Sequence, residues 1–171
     1  MNTYMKNIYC LDSSAFIDIH KYYDIKEFWD MLDDLFTIGS IISHRIVFNE
    51  LTTNAKLASS LSTWISKRRQ YFLVETLAQA KYVSEIVNAF PKIIDPLSKK
   101  DQADPWLIAL ALERQSINTL FPDAYGVVSQ ECIVSSIKMP AVCKFFKIKH
   151  LDLPGFIKEL GLELSFKKPH D

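Results

Sequence analysis

The stretch Asn7-Ile8-Tyr9-Cys10-Leu11-Asp12-Ser13-Ser14 decides the reading of this chain. Its apolar, β-compatible residues, closed by a carboxylate and two hydroxyls, predict a buried strand whose last residue turns into a loop or helix start. A carboxylate is thereby set at the C-terminal edge of a strand, the edge at which the ligand crevice of an open α/β sheet lies. Working outward, Ala15 to Tyr23 predicts a helix capped by Ser13 or Ser14. Phe28, Trp29, Leu32, Leu35 and Phe36 recur at helical spacing over Lys26 to Phe36, with Gly39 as the stop. Ile41-Ile42-Ser43 is a second strand or a turn. Beyond it Val47, Phe48 and Leu51 share an apolar face, with Glu50 beside that stripe.

The spacing of Leu57, Leu61, Trp64 and Ile65 predicts a helix over Leu57 to Phe72, and a second runs from Leu77 to Phe90, where Pro91 closes it. Together they form a helical arm over about 56–91. Asp95 to Asp101 is a polar loop. In Ala103-Asp104-Pro105-Trp106-Leu107-Ile108-Ala109 an Asp precedes a Pro and an apolar run, which predicts Asp104 as cap and Pro105 at the first position of a helix reaching about Gln115. Asn118 to Asp123 is a loop. Tyr125-Gly126-Val127-Val128-Ser129-Gln130-Glu131 then repeats the opening order of strand, hydroxyl and acid. Ala141 to Phe146, Ile148 to Leu151 and Leu153 to Leu160, stopped by Gly161, read as helix, short strand and helix.

The 171 residues suit one domain with one core, residues 1–171 throughout. With 49% hydrophobic residues, four Gly and seven Pro, the composition is that of a packed protein and excludes a linker or disordered tail. Twenty basic and twenty acidic residues cancel, so a polyanion would be held by local patches and not by a global field. Lys67-Arg68-Arg69, Lys99-Lys100, and Lys144 with Lys147 and Lys149 are such patches, able to track an RNA backbone or simply to face solvent. The three cysteines, Cys10, Cys132 and Cys143, lack metal-finger spacing and read as small core residues in a reducing, cytoplasmic compartment. No apolar run is long enough to span a bilayer and no signal-peptide pattern opens the chain, so a soluble protein is expected.

Four carboxylates stand at element ends or beside apolar faces: Asp12, Glu50, Asp104 and Glu131. In a strand–helix alternating fold they can converge at one end of a parallel sheet. Converging like charges repel unless a cation sits among them, and hard oxygen ligands without paired His or Cys favour Mg²⁺ or Mn²⁺. Such an ion activates water and clamps phosphoryl oxygens, which makes phosphodiester hydrolysis the natural chemistry. Asp18 and Asp101 are outer ligands or solvated positions. Ser13, Ser14 and Ser129 orient a phosphate or a metal-bound water, or bond nearby backbone. Trp106 and Tyr125 stack bases near the crevice or pack in the core. The four histidines, His20, His44, His150 and His170, show no partner spacing and are assigned no chemistry.

Cys10-Leu11-Asp12-Ser13-Ser14, Glu50-Leu51, Ala103-Asp104-Pro105-Trp106-Leu107-Ile108-Ala109 and Val127-Val128-Ser129-Gln130-Glu131, in that order and separation, resemble a PIN-domain protein. With Phe28-Trp29, Trp64 and Met139-Pro140-Ala141-Val142-Cys143 the likeness narrows to an uncharacterised PIN-like branch of prokaryotic proteins related to VapC-type toxins, over nearly the whole chain. The resemblance implies an α/β/α sandwich around a mainly parallel sheet and a Mg²⁺- or Mn²⁺-dependent ribonuclease, the toxin of a type II toxin–antitoxin pair. It implies that Asp12, Glu50 and Asp104 hold the metal directly or through water. Glu131 fills the position where the family more often has Thr-x-Asp or Thr-x-Asn, with Ser129 standing for the Thr. The segment 116–125 is longer than the short turn that the family pattern has before that strand. The resemblance also implies a homodimer and an antitoxin segment that enters the acidic crevice.

The alternative is a PIN-like scaffold without catalysis, a regulatory module binding protein or RNA. A phosphotransfer reading with Asp12 as nucleophile is weaker: Ser14 occupies the place where a second acid is usual, and no Lys is set to meet the transferred group.

Overall fold

The computed structural model describes residues 6–98, 101–117, 123–130 and 138–162. The chain opens with β1 (Asn7–Leu11), buried from Ile8 onward as a strand covered on both faces must be. Two helices follow, α1 (Ser13–Tyr22) and α2 (Lys26–Thr37). Helix α2 ends at Gly39, whose φ of 68° lies in the left-handed region that a helix stop of this kind requires. Then come β2 (Ile41–His44) and α3 (Arg45–Thr53), the latter carrying Glu50. The candidate strand or turn at Ile41 is therefore a strand.

The helix expected over Leu57 to Phe72 ends early. It is α4 (Ser59–Ser66), followed by a 3₁₀ turn over Arg69–Tyr71 and by β3 (Phe72–Leu73). Phe72 is the cause: as a strand residue it wedges among Phe16, Phe36 and Phe48, at ring-centroid distances of 5.9, 6.2 and 5.4 Å. Burying one aromatic ring against three others outweighs a further helical turn. The segment 56–91 thus carries an edge strand of the sheet as well as α4 and α5 (Leu77–Ala89).

Helix α6 (Ala103–Ser116) is most buried through its middle, where Leu107, Ile108, Ala109, Leu110 and Ala111 lose all exposure. After it come β4 (Ala124–Val128), α7 (Met139–Phe145), β5 (Lys149–Leu151) and α8 (Leu153–Glu159). Among the described residues no helix is long and apolar enough to cross a membrane.

Among the described residues five strands form one parallel sheet in the order β3-β2-β1-β4-β5, and the fold is α/β, as an α/β/α sandwich requires. Tyr9 pairs with Ile41 on one side of β1, and Leu11 with Val128 on the other. The chain first builds outward from β1 to β2 and β3, then returns through α5 and α6 to lay β4 on the opposite side of β1. Strand order therefore reverses between β1 and β4. Helices leaving the two strands in opposite directions open a crevice beyond their C-terminal ends, where such sheets bind ligands.

Candidate active site

Asp12 stands at that reversal. Its N–H donates to Val128 O at 2.9 Å, so the β1–β4 ladder carries the chain to the crevice edge before it turns. The side chain is 4% exposed. Asp12, and not Ser13 or Ser14, caps α1: its Oδ2 accepts the Ser14 N–H at 3.1 Å and the Ser14 hydroxyl at 2.5 Å. The Ser14 oxygen in turn accepts the Gln130 N–H at 3.0 Å, and Gln130 Oε1 accepts the Leu153 N–H at 2.7 Å. The ends of β1 and β4 and the starts of α1 and α8 are thereby locked to one another. The Ser14 N–H and hydroxyl fix the direction of the Asp12 carboxylate.

Glu50 reaches the same place from α3. Its Oε1 accepts the Ala103 N–H at 3.3 Å, which ties it to the first turn of α6. Burial pushes its carboxyl above the ordinary range and the negative charge of Asp12 adds to this, while hydrogen bonds from Ser13 and the Ala103 N–H pull the other way. Two acids separated in sequence by the whole of α1, α2 and β2 are thus electrostatic neighbours. Crowding like charges at a half-buried position is costly and marks functional sites more often than structural ones.

Asp104 is not the cap that its Asp-Pro context suggests. Helix α6 begins at Ala103 with Gln102 in the cap position, so Asp104 and Pro105 lie inside the first turn. A carboxylate there is still favoured by the helix dipole, and a proline in that turn forfeits no intrahelical bond. Asp104 thus follows directly the residue whose N–H holds Glu50. Glu131 lies outside the described residues. Among the described residues no three His, Cys, Asp or Glu side chains stand close enough together to hold a metal ion. What the fold brings together is the pair Asp12 and Glu50, with the Asp104-bearing helix start bonded to the second of them.

A cleft of about 640 Å³ opens at Glu50, lined also by Ser13, Asn49, Asn54, Lys56 and Asp101 among others. Asp101 is exposed at its rim, whereas Asp18 lies along α1. Ser129, at the end of β4, is fully buried, and its hydroxyl meets His150 Nε2 at 2.8 Å. Of the basic run, Arg68 is ion-paired with Asp33 and lies 3.7 Å over the Trp64 ring; Lys67 and Arg69 are exposed, the latter over Phe48 at 5.7 Å. Lys149 pairs with Glu159, and Lys99 and Lys100 lie outside the described residues. Trp106 stacks on His44, with centroids 5.6 Å apart. Cys10 is buried in the sheet, which pushes its thiol up to about 12 and removes it from thiolate chemistry.

The residue that sequence reasoning passed over is His44. It is fully buried at the junction of β2 and α3 and accepts the Ile46 N–H there as the helix cap. Histidine is outside the usual set of capping residues, and the only sequence signal is its place between an apolar strand and a helix start.

Residues 9–164 match a family described as a domain of unknown function, DUF4411, and the chain belongs to that family. No curated protein matches it.

Proposed function

We propose that this DUF4411 chain is a metal-dependent endoribonuclease that hydrolyses RNA phosphodiester bonds, acting as the toxin of a type II toxin–antitoxin pair. The observation that carries the reading is the meeting of Asp12 and Glu50 at the C-terminal edge of the sheet, where strand order reverses. The ordered motifs that resemble PIN-domain proteins supply the substrate class and the partner.

The donor set fits Mg²⁺ or Mn²⁺. It consists of hard carboxylate oxygens, and Mg²⁺ is usually held by one or two carboxylates, its remaining positions going to water and substrate phosphate. Asp12 and Glu50 would hold the ion, with Asp104 and Glu131 as further ligands, directly or through water. When bound, the ion lowers the pKa of a water and neutralises charge gathering on the phosphoryl oxygens. Asp12 is pre-oriented by the Ser14 N–H and hydroxyl, so its direction is set before any ligand arrives. Glu50 is steadied by Ser13 and by the Ala103 N–H, which keeps it at the crevice although burial disfavours its charge. Asn49, Asn54 and Lys56 offer donors along the cleft to a phosphate backbone or to base edges.

The test is cleavage of single-stranded RNA with Mg²⁺ or Mn²⁺ by the native chain, Asp12→Asn and Asp104→Asn. Loss of cleavage in both variants is expected. Equal activity in all three removes the mechanism, and absence of Mn²⁺ binding to the native chain at millimolar concentration favours the non-catalytic scaffold instead.

A further inference from the structure

Next to the acidic edge lies a buried polar chain that the proposed chemistry leaves unused. His44 Nδ1 accepts the Ile46 N–H at 3.2 Å, so the proton of its neutral ring sits on Nε2, which meets Gln79 Oε1 at 3.2 Å. Gln79 is itself 1% exposed, caps nothing, and donates from Nε2 to Glu113 Oε2 at 2.6 Å. One imidazole thus touches three elements. It caps α3, reaches α5 through Gln79, and stacks at 27° on Trp106, which stands in α6 shortly after Asp104. Helices α3 and α6 are the two that deliver Glu50 and Asp104 to the crevice.

We infer that His44 is a positioning residue of the acidic site: by accepting the Ile46 N–H in the first turn of α3 it sets the start of that helix, and with it the place of Glu50 against Asp12. This inference rests on the metal-site reading above. The geometry requires a neutral ring, since a proton on Nδ1 would face the Ile46 N–H and abolish the cap. The charged groups facing the ring are Arg45 of α3, Glu75 from the turn before α5, and Glu113 of α6. Arg45 is held by Glu75, donating from Nε and Nη2 to the two carboxylate oxygens. Burial holds the pKa of His44 below the ordinary imidazole value, more strongly than Gln79 and the two acids raise it, so the ring stays in its capping form at neutral pH.

The two ring nitrogens can be separated by isosteric amides. Asn places an acceptor near the Nδ1 position and is among the best capping residues, whereas Gln extends toward the Nε2 position and gives up the cap. Mn²⁺ affinity of the full chain is measured by calorimetry for the native protein, His44→Asn and His44→Gln, with Val142→Ala on α7, a helix that carries no proposed ligand, as a destabilised control. His44→Asn is expected within about twofold of the native affinity and His44→Gln roughly tenfold weaker, the scale of lost support behind a metal ligand. Val142→Ala is expected to lower the melting temperature and leave affinity in place. Between pH 7 and 5.5 native affinity should fall more steeply than that of His44→Asn, which has no ring to protonate.

Equal Mn²⁺ affinity for the Asn and Gln variants, both folded, overturns the positioning role and leaves the metal reading standing. A native chain that binds no Mn²⁺ overturns both. Loss of affinity in Val142→Ala equal to that in His44→Gln reduces the effect to general destabilisation and also overturns the role.

Discussion

The acidic edge at Asp12 and Glu50 and the chain His44–Gln79–Glu113 are both built from buried or half-buried polar groups, yet they are built on opposite terms. In the second, donor meets acceptor at each step: a backbone N–H into Nδ1, Nε2–H into an amide oxygen, the amide N–H into a carboxylate. The one charge in it, on Glu113, is met by donors from Gln79 and Thr76, so burial strengthens the chain. In the first, a carboxylate is half-buried near a second group of like sign, and burial first, then the charge of Asp12, pushes Glu50 upward. A fold left to minimise its free energy has no use for that arrangement. The contrast separates polar residues that hold helices in place from those we propose to bind a metal ion.

The sharpest way to break the comparison is to neutralise the first region without disturbing the second. Asn caps a helix as well as Asp does, so Asp12→Asn should keep the start of α1 while removing charge from the crevice. RNA cleavage is expected to fall about 10³-fold, the equivalent of several kcal/mol of transition-state stabilisation, with a melting temperature near that of the native chain. Unchanged cleavage would mean that the acid pair is a structural accident. A large fall in melting temperature would move Asp12 from the ligand class to the structural class.

Next in size is damage to the second region. His44→Ala removes a cap and strands the Gln79 amide, at a combined cost of about 2–4 kcal/mol. Calorimetric unfolding should show a drop of roughly 5–15 °C for a chain of this length. A loss below about 1 kcal/mol would show that the chain of bonds contributes little. The native protein should also lose stability on acidification. With the folded pKa of His44 below its unfolded value of about 6.5, the unfolded chain binds the extra proton first. Stability is therefore intact above that value and falls as pH drops toward the folded pKa, at up to about 1.4 kcal/mol per pH unit. Denaturant midpoints between pH 7.5 and 5 measure this. His44→Asn should flatten the curve.

These two regions were unequally legible. β1 and its terminal carboxylate could be read because a buried apolar run closed by Asp and Ser has few other uses, and α2 and α6 because their apolar residues recur with the helical period. β3 could not, because two residues have no period and Phe72 also fits the end of the preceding helical pattern. The Asp-Pro pair placed α6 correctly but moved the cap inward: Gln102 takes that position and leaves Asp104 in the first turn. Glu50 can be singled out only through motif order, since a charged residue beside an apolar helical face has no spacing that distinguishes a ligand from a solvated flank. His44 was missed because the bond that defines it, from Nδ1 to the backbone of α3, depends on tautomer and burial and on no pattern of residues.

The smallest expected effect sharpens the comparison most, because its sign is opposite to that of an ordinary mutation. Glu50→Gln keeps an oxygen for the Ala103 N–H and removes one of the two crowded charges. The folded pKa of Glu50 is raised, so in metal-free protein its contribution is fully present below the unfolded value of about 4.3 and is lost as pH rises through the folded pKa. At pH 8 with chelator the variant should be the more stable protein, by about 0.5 kcal/mol once solvent screening at this half-exposed position is allowed for, and the difference should vanish near pH 4. Millimolar Mn²⁺ should invert the order, since a ligand that binds only the folded native site adds about 2.7 kcal/mol at a hundredfold excess over Kd and adds less where one acid is missing. A variant less stable than the native chain in chelator at pH 8 would mean that Glu50 is held by favourable contacts, as His44 is. The acidic edge would then be one more polar scaffold, and its case as a metal centre would fail on stability alone, before any RNA is cut.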